Sequence, residues 1–264
     1  MANWFALEHL SSVVLAGADA DVFAQSQFTG NILEQEAGRW QPTAWCDSKG
    51  RALVVMLAAR REDAVEIVTP ASQLQTLLSR LPMYAIGRKV QIHEGGSVQG
   101  CCDHDQPENG LAFDADRAIR LADGPARTDQ EWLRRWQLAD LQSRIPWLTP
   151  ETSGQHLPQS LGLEALDAIS YSKGCYPGQE VIARVHFLGK VKHRLAVLSL
   201  DTPHPPAPGI AVTDRSGAGL GQLLWSVPDN GESFGLAVVH SEATTGLEIA
   251  VDIDNLIIRG QVSL

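Results

Sequence analysis

The residues best suited to chemistry lie in one stretch, Ser172-Lys173-Gly174-Cys175-Tyr176-Pro177-Gly178-Gln179-Glu180-Val181-Ile182-Ala183-Arg184. Gly174, Pro177 and Gly178 bracket a thiol in a turn, and Gln179 to His186 can begin a helix directly behind it. A cysteine beside a helix N-terminus and two residues from a lysine is biased toward the thiolate, because both neighbours favour a negative charge. Such a thiolate could serve as a nucleophile, a redox sensor or a ligand. The same string also fits a small residue packed in a tight turn.

The charge pattern singles out the same region. The chain has 264 residues, with 21 Lys+Arg against 31 Asp+Glu and a formal net charge of -10. Between Lys173 and Arg194, Lys173, Arg184, Lys190, Lys192 and Arg194 stand against one acid, Glu180, so this island carries +4. A small anionic ligand would be drawn to it. The acidic remainder argues against bulk nucleic-acid binding, which needs a basic face to displace counterions.

Other candidates do not assemble. Cys101-Cys102-Asp103-His104-Asp105 holds ligand types, but adjacent cysteines suit tetrahedral zinc poorly and no second ligand pair follows, so a polar loop and no metal site are expected. Gly217, Gly219 and Gly221 alternate as in a hairpin turn and do not form a dinucleotide fingerprint. GxSxG, HExxH and GxxxxGK[ST] are absent, which removes the hydrolase, zinc-protease and P-loop readings.

Hydrophobic residues make up 44% and charged residues 20%, the mix of an ordinary globular protein. The longest apolar run, Ala52 to Ala59, is 8 residues, and a bilayer span needs roughly 20. The start of the chain lacks a basic n-region, so a cytoplasmic protein with no membrane partner is expected, its four cysteines as thiols.

The elements that must hold the motif read as α+β. Asp19 or Asp21 can cap a short helix through Val22, Phe23 and Phe28, ended by Gly30-Asn31. Asp47-Ser48-Lys49-Gly50 reads as a hairpin turn between Thr43–Cys46 and Ala52–Ala58; a strand Ala64–Val68 follows, then a helix opened by Pro70 and a strand Lys89–His93. A sheet with helices on one side results. Gly95 to Gly110 reads as a loop or seam, Ile119 marks a short strand, and Thr128-Asp129-Gln130-Glu131 reads as a capping box before a helix faced by Trp132, Leu133, Trp136 and Leu141. Past Gly189, strands at Lys190–Leu200, Ile210–Asp214, Gly221–Val227, Ser233–His240, Leu247–Ile253 and Leu256–Val262 predict a small antiparallel barrel.

Lys173-Gly174-Cys175-Tyr176-Pro177-Gly178-Gln179-Glu180, with Arg184 behind it, resembles the K-G-C-[FY]-x-G-Q-E signature of the folate-binding YgfZ family, relatives of the glycine cleavage T-protein. Gln27-Phe28-Thr29-Gly30-Asn31 and Cys46-Asp47-Ser48-Lys49-Gly50-Arg51 resemble that family's Q-x-T and D-x-x-G-R/K stretches. The lead-in from Ile145-Pro146 through Leu157-Pro158-Gln159 to Ile169-Ser170-Tyr171, and the basic exit Gly189 to Arg194, resemble it as well.

The resemblance implies an α+β, T-protein-like architecture of three parts. Two α+β parts, 1–95 (discontinuous with part of 111–188) and 96–188, surround a central folate pocket, and 189–264 forms a C-terminal antiparallel β-barrel. It implies tetrahydrofolate as cofactor, with Cys175 as a reactive thiol and Lys173, Gly174, Tyr176, Gly178, Gln179, Glu180, Arg184, Thr29 and Asn31 as cofactor contacts. It also implies support for the assembly or repair of iron–sulfur enzymes, tRNA-modifying ones included, with those enzymes or cluster assembly proteins as partners. Folate-dependent one-carbon transfer and a noncatalytic scaffold are the alternatives. T-protein relatives use a carboxylate on the strand after the first hairpin; here Arg51 to Leu57 contains no Asp or Glu, which disfavours aminomethyl transfer.

Overall fold

The computed structural model describes residues 3–102, 110–124, 126–253 and 256–263; Asp103, His104 and Asp105 of the cysteine-rich stretch lie outside them. After β1 (Phe5–Ala6) the chain builds an antiparallel sheet from β2 (Leu10–Ala16), β3 (Gln41–Cys46), β4 (Ala52–Arg60), β5 (Ala64–Pro70) and β6 (Gln91–Glu94), in the order β3-β4-β5-β2-β6. The apolar run becomes β4, and it is apolar throughout because both its faces are covered. Leu53, Val54, Met56 and Ala58 join a core under the helices; Ala52, Val55, Leu57 and Ala59 join the core shared with the rest of the molecule.

Helices α1 (Ala20–Gln27) and α2 (Leu74–Arg80) supply Phe23, Ala24 and Leu77 to the first of these cores. The expected cap of α1 does not form. Asp19 occupies the cap position, but its carboxylate accepts the Lys89 N–H at 2.7 Å, and Asp21 is paired with Arg60 at 2.9 Å. α1 also stops before Gly30-Asn31. Phe28 is extended and bridges to Trp45, and the Thr29 N–H donates to the Ala44 carbonyl at 2.9 Å, so β3 competes for the backbone and ends the helix early.

A second sheet has the order β1-β7-β9-β8, with β7 (Ser97–Cys101), β8 (Leu111–Ala112) and β9 (Ala118–Ala122). β7 corrects the loop expected from Gly95 onward. Gly100 signals loop in the sequence, yet it is a packing glycine, since a Cβ there would lie 2.8 Å from the Trp136 ring. Trp136 belongs to α3 (Gln130–Gln142), which packs on this sheet with Phe5 and Phe113 each 6.1 Å from its ring centroid. The expected capping box does not close either. Asp129 caps α3 by accepting the Trp132 N–H at 3.2 Å, while the Thr128 hydroxyl donates to Glu8 and Glu131 pairs with Arg134 and Arg135.

α3 also buries a charge pair that periodicity does not reveal. Arg117 Nη1 donates to Asp140 at 2.6 Å, and the guanidinium lies 4.7 Å from the Phe113 ring centroid and 4.8 Å from that of Trp136. Trp147 Nε1 donates to the other Asp140 oxygen at 2.9 Å.

From 143 to 178 the described chain forms turns and no regular element, and these turns stitch the first sheet to the C-terminal part of the chain. Ala52 N–H donates to the His156 carbonyl at 2.9 Å, Gly154 N–H to Ala52 at 2.8 Å, and Ser170 N–H to Thr29 at 2.8 Å. α4 (Gln179–Leu188) then leads into β10 (His193–Leu200), β11 (Ala211–Asp214), β12 (Gly219–Asp229), β13 (Glu232–His240), β14 (Glu248–Ile253) and β15 (Leu256–Ser263). These strands close a barrel in the order β10-β13-β12-β11-β14-β15, as their spacing predicts. Ala196, Leu198, Leu223 and Val251 fill its interior; Leu195, Leu224, Trp225 and Leu236 face outward into the core that also holds Leu57, Val98 and Trp136.

Candidate functional site

The turn before α4 is anchored by two glycines. Gly178 caps α4 in the left-handed region at φ 80°, where L side chains are strained, and its carbonyl accepts the Val181 and Ile182 N–H groups. A Cβ on Gly178 would fall 2.5 Å from the Gly50 Cα and 2.5 Å from the Asp47 carbonyl oxygen. Gly50, at φ 75°, ends the expected hairpin turn, in which Asp47 accepts the Lys49 and Arg51 N–H groups at 2.9 and 2.8 Å. The two turns therefore touch backbone to backbone.

Lys173 ties the same turn to α1. Its Nζ donates to the carbonyls of Gln25 at 2.6 Å, Phe28 and Gly30 at 2.8 Å, and it sits 4.9 Å from the Tyr176 ring centroid. Two of these carbonyls, Gln25 and Phe28, belong to the last turn and C-cap of α1, where a helix leaves acceptors without an intrahelical partner. Burial pulls the amine down to about 7, while three acceptors call for the three protons of an ammonium. Lys173 is thus committed to backbone oxygens and does not serve the Cys175 thiol, which is exposed.

Thr29 sits in the same junction, fully buried. Its hydroxyl donates to the Ala168 carbonyl at 2.7 Å and accepts the Ala44 N–H at 2.9 Å. Asn31 lies near the surface, donating to Glu34 at 2.6 Å and accepting from Gln25 at 2.8 Å. Tyr176 is buried and its hydroxyl donates to the Ser170 carbonyl at 3.4 Å; burial pushes that hydroxyl's pKa up. Gln179 Nε2 donates to the Lys173 carbonyl at 3.4 Å. Gly174, Glu180 and Arg184 are exposed, the last two on α4.

The fold brings Lys173, Tyr176, Gly178, Gln179 and Thr29 into one junction. It leaves Glu180 and Arg184 outside that junction, and it halves the basic island's free charge. Arg194 donates to the Ala243 carbonyl, as Lys173 does to its own set, so Arg184, Lys190 and Lys192 remain as the exposed cations.

One group escaped the sequence reading. Tyr171 stacks on His186 with ring centroids 3.9 Å apart, and Phe187 stands edge-on to both. Glu164 accepts from the Tyr171 hydroxyl and from His186 Nδ1 at 2.7 Å, and Gln159 donates to the Ile182 carbonyl at 2.8 Å. Burial first, and Glu164 second, hold the Tyr171 hydroxyl protonated by raising its pKa. No periodicity links residues 171 and 186; only the docking of α4 does.

Among the cavities elsewhere are one of about 970 Å³ along the barrel by Asp214, Glu248 and Arg259 and one of about 320 Å³ by Leu7, Ser12 and Gly96. No group of metal ligands occurs among the described residues, and no described helix is long and apolar enough to cross a membrane.

No family model matches the chain. An uncharacterized protein of Haemophilus influenzae is 29% identical over 210 residues, covering 76% of this chain and 75% of its own. The tRNA-modifying protein YgfZ of Sodalis glossinidius is 29% identical over 241 residues, covering 77% and 73%, and that of Vibrio vulnificus 27% over 271 residues, covering 89% and 83%. The glycine cleavage system aminomethyltransferase T from Bartonella henselae superposes with a TM-score of 0.67 over 100% of this chain and 85% of its own, at 14% identity. By sequence, then, the chain resembles the tRNA-modifying protein YgfZ along most of its length, and it has the fold of the glycine cleavage T-protein.

Proposed function

We propose that this protein binds tetrahydrofolate at the 173–180 turn and acts as an accessory factor in the assembly or repair of iron–sulfur enzymes, tRNA-modifying ones included. The observation that carries the reading is the junction itself. Three separated stretches that resemble the YgfZ family, 27–31, 46–51 and 173–180, converge through Lys173 and through the Gly50–Gly178 contact around an exposed thiol. Fixed backbone around a reachable side chain is what a binding turn requires.

Folate has two unlike ends. Its pterin needs an aromatic or apolar face, for which Tyr171 and Phe187 stand next to the turn. Its glutamate carboxylates need cations, for which Arg184 and Lys190 are exposed. Thr29 and Lys173 act as braces that set the turn, and Asn31, Gly174, Gln179 and Glu180 line its approaches. β4, which in the aminomethyl-transfer reading would bear the catalytic carboxylate, has the sequence Ala-Leu-Val-Val-Met-Leu-Ala-Ala over 52–59. That favours an accessory role over one-carbon transfer.

Calorimetric titration of the full chain with tetrahydrofolate tests the first half of the proposal. Micromolar or tighter binding, weakened by alkylating Cys175 or by Phe187→Ala, is the expected result; no heat at a hundred micromolar ends the reading. The second half is tested in cells with Cys175→Ala, which should lower the activity of iron–sulfur enzymes while the purified variant unfolds at the wild-type midpoint.

A further inference from the structure

Away from the turn, the outer face of the barrel gathers basic side chains around three imidazoles. His193 opens β10 and His240 ends β13 as its cross-strand partner, with ring centroids 4.6 Å apart and planes tilted by 35°. On β12, Gln222 pairs with Val238, two residues before His240, so Gln222, His240 and His193 share one face. His156 is held to that face by its Nε2, 2.9 Å from Gln222 Oε1. Arg51 adjoins it, donating from its guanidinium to the Gln155 carbonyl, while Lys192 precedes His193 and accepts the Ser241 N–H on its carbonyl at 2.9 Å.

The charged groups that act on His156 and His193 are basic. Besides burial, His193 and Arg51 lower the pKa of His156, and His240 and Lys192 lower that of His193. Asp47 accepts the Lys49 and Arg51 N–H groups of its own turn, and Glu242 is exposed two residues beyond His240. In a chain with 31 Asp+Glu, a self-repelling cluster is an arrangement that an anion relieves.

We propose that this face binds a phosphate group, with His156, His193 and His240 as hydrogen-bond donors and Arg51 and Lys192 as flanking cations. A bound oxyanion stabilises each imidazolium, so binding takes up protons and tightens as pH falls. The phosphate belongs to a phosphorylated small molecule or to a nucleic-acid backbone. Arg51 follows the Asp47–Gly50 turn of the junction, so this face borders it; the three imidazoles take no part in the folate reading, and the proposal stands or falls on them.

Sulfate is the probe, because its charge does not change over the range where histidine titrates. In NMR spectra of the full chain, the Cε1–H signals of His156, His193 and His240 should shift saturably with sulfate while those of the exposed His93 and His204 stay put. If one proton is taken up, affinity should weaken about tenfold for each pH unit once the pH exceeds the pKa of the unbound rings. The paired variant His193→Asn with His240→Asn should bind at least about fivefold more weakly. Displacement of sulfate by a phosphate monoester or by a short single-stranded RNA supports the site and names the source. Unmoved signals, shifts no larger than those of His93 and His204, an affinity indifferent to pH, or full binding by the paired variant would each overturn it.

Discussion

Lys173 illustrates how a residue can carry a motif without touching the chemistry it was expected to support. Sequence spacing sets it two residues from Cys175, which suggests thiol activation; the fold spends its ammonium on the Gln25, Phe28 and Gly30 carbonyls. Lys173→Met should cost about 1–3 kcal/mol in urea unfolding, since buried acceptors lose their donor. Near the start of the sequence, His9 contributes to the acid response. Part of the residue reaches the surface, but both ring nitrogens are sealed without a partner, and burial lowers the pKa to about 4. The unfolded ring titrates near 6.5, so the unfolded state binds the extra proton first. Stability is then intact above about pH 6.5 and falls by about 3 kcal/mol as pH drops toward 4. His9→Phe, of similar shape, should flatten that limb of the stability curve against pH.

At the scale of elements, the working part of the motif is its glycines. α4 begins where it does because Gly178 accepts a left-handed conformation and because only a hydrogen fits against Gly50. Gly178→Ala combines the left-handed penalty with a clash against backbone that cannot rotate away, and should cost about 2–4 kcal/mol. Folate affinity, if the proposed function holds, should drop with it, measured by the same titration. Elements fixed by local signals were legible: the Asp47 to Gly50 hairpin, the helix after Gly178 and the barrel strands. The caps of α1 and α3 and the strand β7 were not. Asp19 and Thr128 are drawn to Lys89 and Glu8, partners 70 and 120 residues away in sequence, and Gly100 serves Trp136 from another element.

Over the whole molecule, one core joins both sheets and the outer face of the barrel, through Leu57, Val98, Trp136, Trp225 and Leu236. Trp225 adds a hydrogen bond from its indole to the Ile145 carbonyl at 3.0 Å. A barrel that shares this much apolar surface should not melt alone. Unfolding followed by tryptophan fluorescence, by far-UV dichroism and by amide exchange in β12 and β13 should give one coincident transition. Separate midpoints for the barrel would show that the shared core is too weak to couple it.

The sequence by itself determined the α+β class, the barrel and the motif, because turn glycines, strand alternation and an octapeptide are local properties of a chain. It also marked the basic island. What only the tertiary structure decided is which of those residues are braces and which remain reachable. Thr29 and Lys173 are consumed by backbone partners from distant segments, Arg117 and Asp140 form a buried pair, and Tyr171, His186 and Phe187 make an aromatic group. The imidazoles of His156, His193 and His240 likewise come to one face only because β10 and β12 both pair with β13 and the 143–178 turns dock against them. Each of these depends on contacts between residues far apart in the chain, and neither periodicity nor spacing encodes such contacts.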